Sequence, residues 1–129
     1  SQWIDHGRPV YLGDHLYTPL RTLLERVYRR YQRPFFISET GTEGGFRPAW
    51  LHYVCDETWA AMQAGVPVEG LCLYPILDHL GWEDDRRCLN GMFCGVTPEG
   101  ARTQFSPLVD ELARQRALFA ARGVANAWA

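Results

Sequence analysis

Pro34 separates two periodicities that no single element can carry. Before it, Leu20, Leu23, Leu24, Val27, Tyr28 and Tyr31 recur at helical spacing. Thr18 stands as a cap and Pro19 at the first helical position, so a helix ending near Gln32 is expected. Proline lacks the amide hydrogen and its ring clashes with the preceding turn, so Pro34 forbids continuation. After it, Phe35-Phe36-Ile37 is a short bulky run that suits a strand buried on both faces, as in a parallel sheet covered by helices. The run ends in Ser38-Glu39-Thr40-Gly41, which sets a carboxylate at the C-terminal end of that strand. In α/β folds the loops leaving that end enclose the ligand crevice, so Glu39 is the first candidate for chemistry.

The pattern then repeats. Pro48 opens a second helix, with Trp50, Leu51, Val54, Cys55, Trp59 and Met62 expected as its core stripe and Gly65 as its stop. Pro67 and Val68 lead into a second apolar strand over residues 70–74, reached through a helical crossover, which makes a βαβ unit with parallel strands. Thr97-Pro98-Glu99-Gly100 lies between residues 92–96 and 101–105 as the turn of a hairpin. Ser106-Pro107 is expected to cap a last helix through Leu108, Val109, Leu112, Leu118 and Phe119 to Gly123. The fold class is α/β, one unit over residues 1–129, with two parallel strands, three helices outside them and a hairpin near the C-terminus.

Several functions are disfavoured. A net charge of −2 gives no electrostatic reason to expect nucleic acid or an anionic membrane, and the clusters Arg29-Arg30 and Arg86-Arg87 are short and offset by nearby acids. Cys55, Cys72, Cys88 and Cys94 form no CxxC pair and are expected as free thiols, which favours a reducing compartment. His6 and His15 lack an acidic or thiol partner at ligand spacing, so no metal site is expected. The loop at residues 42–47 lacks the Gly-Lys-Ser/Thr ending of a phosphate cradle, and no cofactor motif is visible. No charged-then-apolar leader and no apolar run of about 18 residues occurs, so a cytoplasmic chain without a membrane span is expected. The chain starts at Ser1 rather than Met and is expected to be a processed or excised piece.

The order of these motifs resembles the C-terminal part of family 1 glycoside hydrolases, the retaining (β/α)8-barrel enzymes that include β-glucosidases. Ile37-Ser38-Glu39-Thr40-Gly41 is similar to the family's I-T-E-N-G, and Gly65-Val66-Pro67-Val68-Glu69-Gly70 to its G-V-x-V-x-G. The stretch from Tyr74 to Trp82 sits where the family has W-S-L-L-D-N-F-E-W, keeping Leu77-Asp78 and Trp82. Thr40 replaces the Asn after the nucleophile, Tyr74 the first Trp, and Gly81 a sugar-contacting Glu, so sugar preference does not carry over.

The resemblance implies that the two parallel strands are the seventh and eighth of a TIM barrel. A full barrel takes about 250 residues, so the chain corresponds to its last third. It implies a retaining glycosidase in which Glu39 is the nucleophile, and a carbohydrate or glycoside as substrate. The acid/base Glu of the family lies at the end of the fourth strand, outside this sequence, so the isolated chain is expected to be inactive. Glu43 is the nearest substitute in the sequence, against solvent exposure or pairing with Arg47. Trp82, Tyr74 and Trp3 are the expected sugar platforms, whereas Trp50, Trp59 and Trp128 are assigned to packing. The family commonly has a cis peptide after the aromatic residue that ends the eighth strand, so Tyr74-Pro75 is expected to be cis. Unpaired strand edges call for self-association or for the missing N-terminal part of the barrel. Two further readings stand beside the hydrolase: a non-catalytic carbohydrate-binding or interaction module, and an inactive barrel fragment.

Overall fold

The computed structural model describes Val10 and residues 13–124. Helix α1 (Leu20–Tyr31), strand β1 (Phe35–Thr40), helix α2 (Arg47–Gln63) and strand β2 (Val68–Leu73) follow one another, with a 3-10 turn at Gly44–Phe46 leading into α2. The two strands pair in parallel, with Phe35 opposite Val68, Ile37 opposite Leu71 and Thr40 opposite Leu73. The Tyr74 N–H extends the ladder beyond β2 by donating to the Thr40 carbonyl at 2.9 Å. The expected crossover unit is present.

Two small antiparallel pairs follow. Strand β3 (His79–Leu80) pairs with β4 (Arg87–Cys88), and β5 (Phe93–Cys94) with β6 (Thr103–Gln104), before helix α3 (Ser106–Ala121). The second pair is the expected hairpin. The first went unanticipated, because two-residue strands around a charged loop leave no periodic signal. All four cysteines are free, as expected.

The helices pack on one face of the sheet. Leu24 of α1 and Ala61 of α2 bury Val66 and Val68, with Phe35 and Ile37 against them. Leu51 and Cys55 of α2 meet Leu108 of α3, with Leu71, Leu73, Leu112 and Phe119 around them. Side chains alternate across a strand, so Phe36 and Ser38 point away from these helices. Phe36 is 57% exposed, and Ser38 and Glu39 are exposed as well. The expectation of a strand buried on both faces is therefore corrected: a bulky run reports only that its residues are apolar, whereas the described elements cover one side. The stripe on α1 is likewise wider than its partner, leaving Leu23 and Val27 each 41% and Tyr31 63% exposed.

Helix starts also depart from expectation. Pro19 precedes α1 and Phe105 precedes α3, neither with a side-chain capping bond, so Thr18 and Ser106 do not cap. The first N–H groups of a helix still need acceptors, and for α1 these come from α2. Tyr53 Oη accepts from the Leu20 N–H at 3.2 Å, and Glu57 accepts from the Arg21 N–H and its Nε–H at 3.0 Å each. A carboxylate is favoured at a helix N-terminus, and the Arg21 hydrogen bonds hold the Glu57 carboxyl below its usual range.

Between α2 and α3, Glu111 accepts from Arg114 at 2.7 Å and from Gln115 at 2.7 Å, and lies 3.2 Å from His52 Nδ1. The Arg114 hydrogen bond, with help from Gln115 and His52, lowers the Glu111 carboxyl to about 2. A carboxyl whose folded pKa is depressed contributes stability above its ordinary value, and that contribution is lost as the pH falls through the folded one. The difference in urea midpoint between the native chain and Glu111→Gln should therefore be constant just above pH ~4.5 and vanish as the pH approaches 2.

Gly41 marks the tightest approach of the two strand ends. A Cβ there would stand 1.9 Å from the Tyr74 carbonyl oxygen, a backbone atom held in place by the neighbouring ladder bond. Gly41→Ala is expected to cost about 3 kcal/mol in urea unfolding, because the strand ends must part to admit the methyl group. An unchanged urea midpoint would count against that close approach.

Candidate functional site

The ends of β1 and β2 open into a cleft of about 550 Å³. Glu39, Thr40, Trp50, Tyr74, Asn90 and Glu43 line it, and they come from three parts of the chain. The β1 end supplies Glu39 and Thr40, the loop after it Glu43, and the first turn of α2 Trp50. Tyr74 follows β2, and its bond to Pro75 is cis, as expected. Asn90 comes from the segment between β4 and β5.

Glu39 is exposed in this cleft, and among the described residues no hydrogen bond or ion pair engages its carboxylate. Glu43 behaves differently. Arg86 grips it through two bonds, Nη1 to Oε2 at 2.8 Å and Nη2 to Oε1 at 3.0 Å. The expected alternative of a Glu43–Arg47 pair is corrected: Arg86, which leads into β4, takes that carboxylate. The Arg86 hydrogen bonds hold Glu43 below the usual carboxylate range, so it stays ionised at neutral pH. A group that must donate a proton needs the opposite shift.

Arg47 has another task. It is 6% exposed, its Nε donates to the Gly44 carbonyl at 2.6 Å, its Nη1 donates to the Gly91 carbonyl, and its guanidinium lies 3.7 Å from the Phe105 ring centroid. Asp78, 7% exposed, accepts from the Gly91 N–H at 2.8 Å and from the Gly95 N–H at 3.4 Å. The Gly91 residue is therefore held on both sides, its carbonyl by a cation and its N–H by an anion. No Cβ fits at Gly91, since one would lie 2.2 Å from the Asp78 nitrogen. The Gly44 N–H donates to the Leu89 carbonyl at 2.8 Å, which ties the loop after β1 to the same segment. Next to it, His79 Nδ1 donates to the Leu80 carbonyl at 2.6 Å, leaving Nε2 to accept from the Asn90 amide at 3.1 Å. The cleft wall at Asn90 is thus fixed from several directions.

The expected aromatic platforms divide. Tyr74 lines the cleft and is 40% exposed. Trp82, 86% exposed at the turn after β3, lies outside the cleft lining, and Trp3 lies outside the described residues, as does Trp128. Trp59 packs edge-on against Phe119, as expected. Trp50 does not belong to the core stripe: it is 38% exposed, lines the cleft, and donates its Nε1–H to Thr40 Oγ1 at 2.8 Å. Periodicity set it in line with Val54, but a residue in the first turn of the crossover helix also sits at the level of the strand tips. That position, eleven residues after Glu39, was the available signal. Asn90 and the clamp on Gly91 had none, because they depend on backbone groups brought from far along the chain.

No protein-family model matches the sequence, and no curated protein matches it. Solved structures do. The β-glycosidase of the hyperthermophile Thermosphaera aggregans aligns with a TM-score of 0.66 at 23% identity, over 75% of this chain and 21% of its own. The family 1 β-glucosidase of Thermotoga maritima aligns with a TM-score of 0.64 at 18% identity, over 87% of this chain and 29% of its own. A hyperthermophilic β-glucosidase mutant that forms a dodecamer in its crystals aligns with a TM-score of 0.63 at 25% identity, over 71% of this chain and 21% of its own. The chain spans 21% to 29% of the length of these structures. In no described helix is there a stretch long and apolar enough to cross a membrane. A parallel β1–α2–β2 unit whose strand ends open on a carboxylate-bearing cleft, aligned in this way, has the fold of a segment of the family 1 β-glucosidases.

Proposed function

We propose that this chain is the nucleophile-bearing segment of a retaining glycoside hydrolase, with β1 and β2 as the seventh and eighth strands of a barrel and Glu39 as nucleophile. The observation that carries the reading is the unpaired Glu39 carboxylate at the C-terminal end of a parallel strand, in a cleft walled by Trp50 and Tyr74. In this chemistry Glu39 attacks the anomeric carbon of a glycoside and the bond from that carbon to the aglycone oxygen breaks. An acid about 5 Å away protonates the leaving oxygen, and water later hydrolyses the glycosyl ester. Glu43 is unsuited to the acid role because Arg86 keeps it ionised. The acid is therefore supplied by another part of the barrel, on the same or a separate polypeptide.

An aryl glycoside with a 2-fluoro substituent and a dinitrophenolate leaving group tests the nucleophile alone, since that anion departs without protonation and the fluorine slows hydrolysis of the ester. Mass spectrometry should find one fluoroglycosyl group on the peptide that contains Glu39, and none after Glu39→Gln. A folded, unlabelled chain would favour a carbohydrate-binding module without catalysis.

The surface supports a partner. The β1–β2 sheet has two strands and both outer edges are unpaired among the described residues. An apolar groove of about 470 Å³ runs beside β2 between α2 and α3, with Leu71, Leu73, Met92, Leu112 and Phe119 on its walls. Open edges flanked by apolar surface are templates for pairing. Sedimentation of the purified chain should show species heavier than 14.8 kDa. A monomer at all concentrations would speak against self-association as the cover.

A further inference from the structure

We infer that Trp50 is a ligand-stacking platform beside Glu39 and that Thr40 is the residue that positions it. The inference rests on reading the cleft as a glycoside site and adds a contact that the family's motifs do not supply. Three observations carry it. Trp50 belongs to neither core cluster, although its neighbour Leu51 is 1% exposed in one of them. Its only polar atom is already committed, because Nε1–H donates to Thr40 Oγ1 at 2.8 Å, so what the ring offers the cleft is its apolar π surface. Its anchor is itself rigid: Thr40 pairs with Leu73 in the ladder and its carbonyl accepts from the Tyr74 N–H.

The chemistry of the ligand follows from these walls. An indole held by one hydrogen bond next to a free carboxylate suits a ring with an apolar C–H face and polar edges. A pyranose is such a ring: its axial hydrogens pack on the aromatic surface while its hydroxyls remain available to Glu39 and Asn90. Tyr53 supports Trp50 from the helix side, with ring centroids 5.7 Å apart and planes tilted by 42°. The platform is therefore pre-organised before ligand arrives, which lowers the ordering cost of binding.

Thr40 acts through Trp50. Its hydroxyl selects the orientation of the indole, and its methyl group plays no part in that bond. Thr40→Val keeps the shape and loses the acceptor, while Thr40→Ser restores it.

The test uses phenyl 1-thio-β-D-glucopyranoside, a glycoside that resists hydrolysis, added to the 15N-labelled chain up to its solubility limit. The indole N–H resonance of Trp50, assigned by its disappearance in Trp50→Phe, should shift on titration. The apparent affinity, read in every variant from backbone amide shifts, should fall about tenfold in Trp50→Ala and in Thr40→Val, and return in Thr40→Ser. A Trp50 resonance that stays fixed, or an affinity indifferent to Trp50→Ala in a folded sample, overturns the inference. Labelling of Glu39 without a Trp50 shift would overturn the platform and leave the nucleophile standing. A shift without labelling would do the reverse, and neither signal would remove both.

Discussion

The hydrogen bond from the Tyr74 N–H to the Thr40 carbonyl closes the parallel ladder, and the rest of the cleft depends on it. On one side of that bond stand Glu39 and Thr40, on the other Tyr74. Because Gly41 carries no side chain, the two backbones approach closely enough for both sets of groups to share one crevice. Thr40 uses its main chain for the ladder and its hydroxyl for Trp50, so one residue couples the sheet to the first turn of α2. Parallel strands need a crossover that brings the chain back over the sheet, and that crossover is α2. Its first turn and the strand tips consequently lie at the same end of the layer. The chemistry of the site is concentrated there for a topological reason.

The division of labour among the charged groups is sharp. Carboxylates that fix structure are held by donors: Glu57 by Arg21 and the start of α1, Glu111 by Arg114, Glu43 by Arg86, and Asp78 by backbone N–H groups. Glu39 alone among these five is left for an incoming molecule. That contrast, rather than any one distance, separates it from these four.

Much of this was legible in the residues. Proline and the change from helical to strand periodicity located α1, β1, α2 and β2, and the turn at residues 97–100 located the second hairpin. The carboxylate at a strand end could be read because its meaning depends only on chain direction. What could not be read depends on partners remote in sequence. Phe36 has the composition of a core residue, but its exposure is decided by which elements cover the sheet. The caps of α1 come from Tyr53 and Glu57, more than thirty residues on, so local capping rules pointed to Thr18 instead. Arg47 was paired in expectation with the nearest acid, whereas its partners are carbonyl groups, which every residue carries and no residue type announces.

The clamp on Gly91 has a bearing on how such a chain can diverge. A buried cation and a buried anion face each other through a single amino acid, Gly91, so each is neutralised by way of that residue's dipoles instead of by direct contact. Loss of either charge would strand the other in a low-dielectric setting. Drift at Arg47 and Asp78 is thereby tied together, with Gly91 as the hinge pin of the constraint.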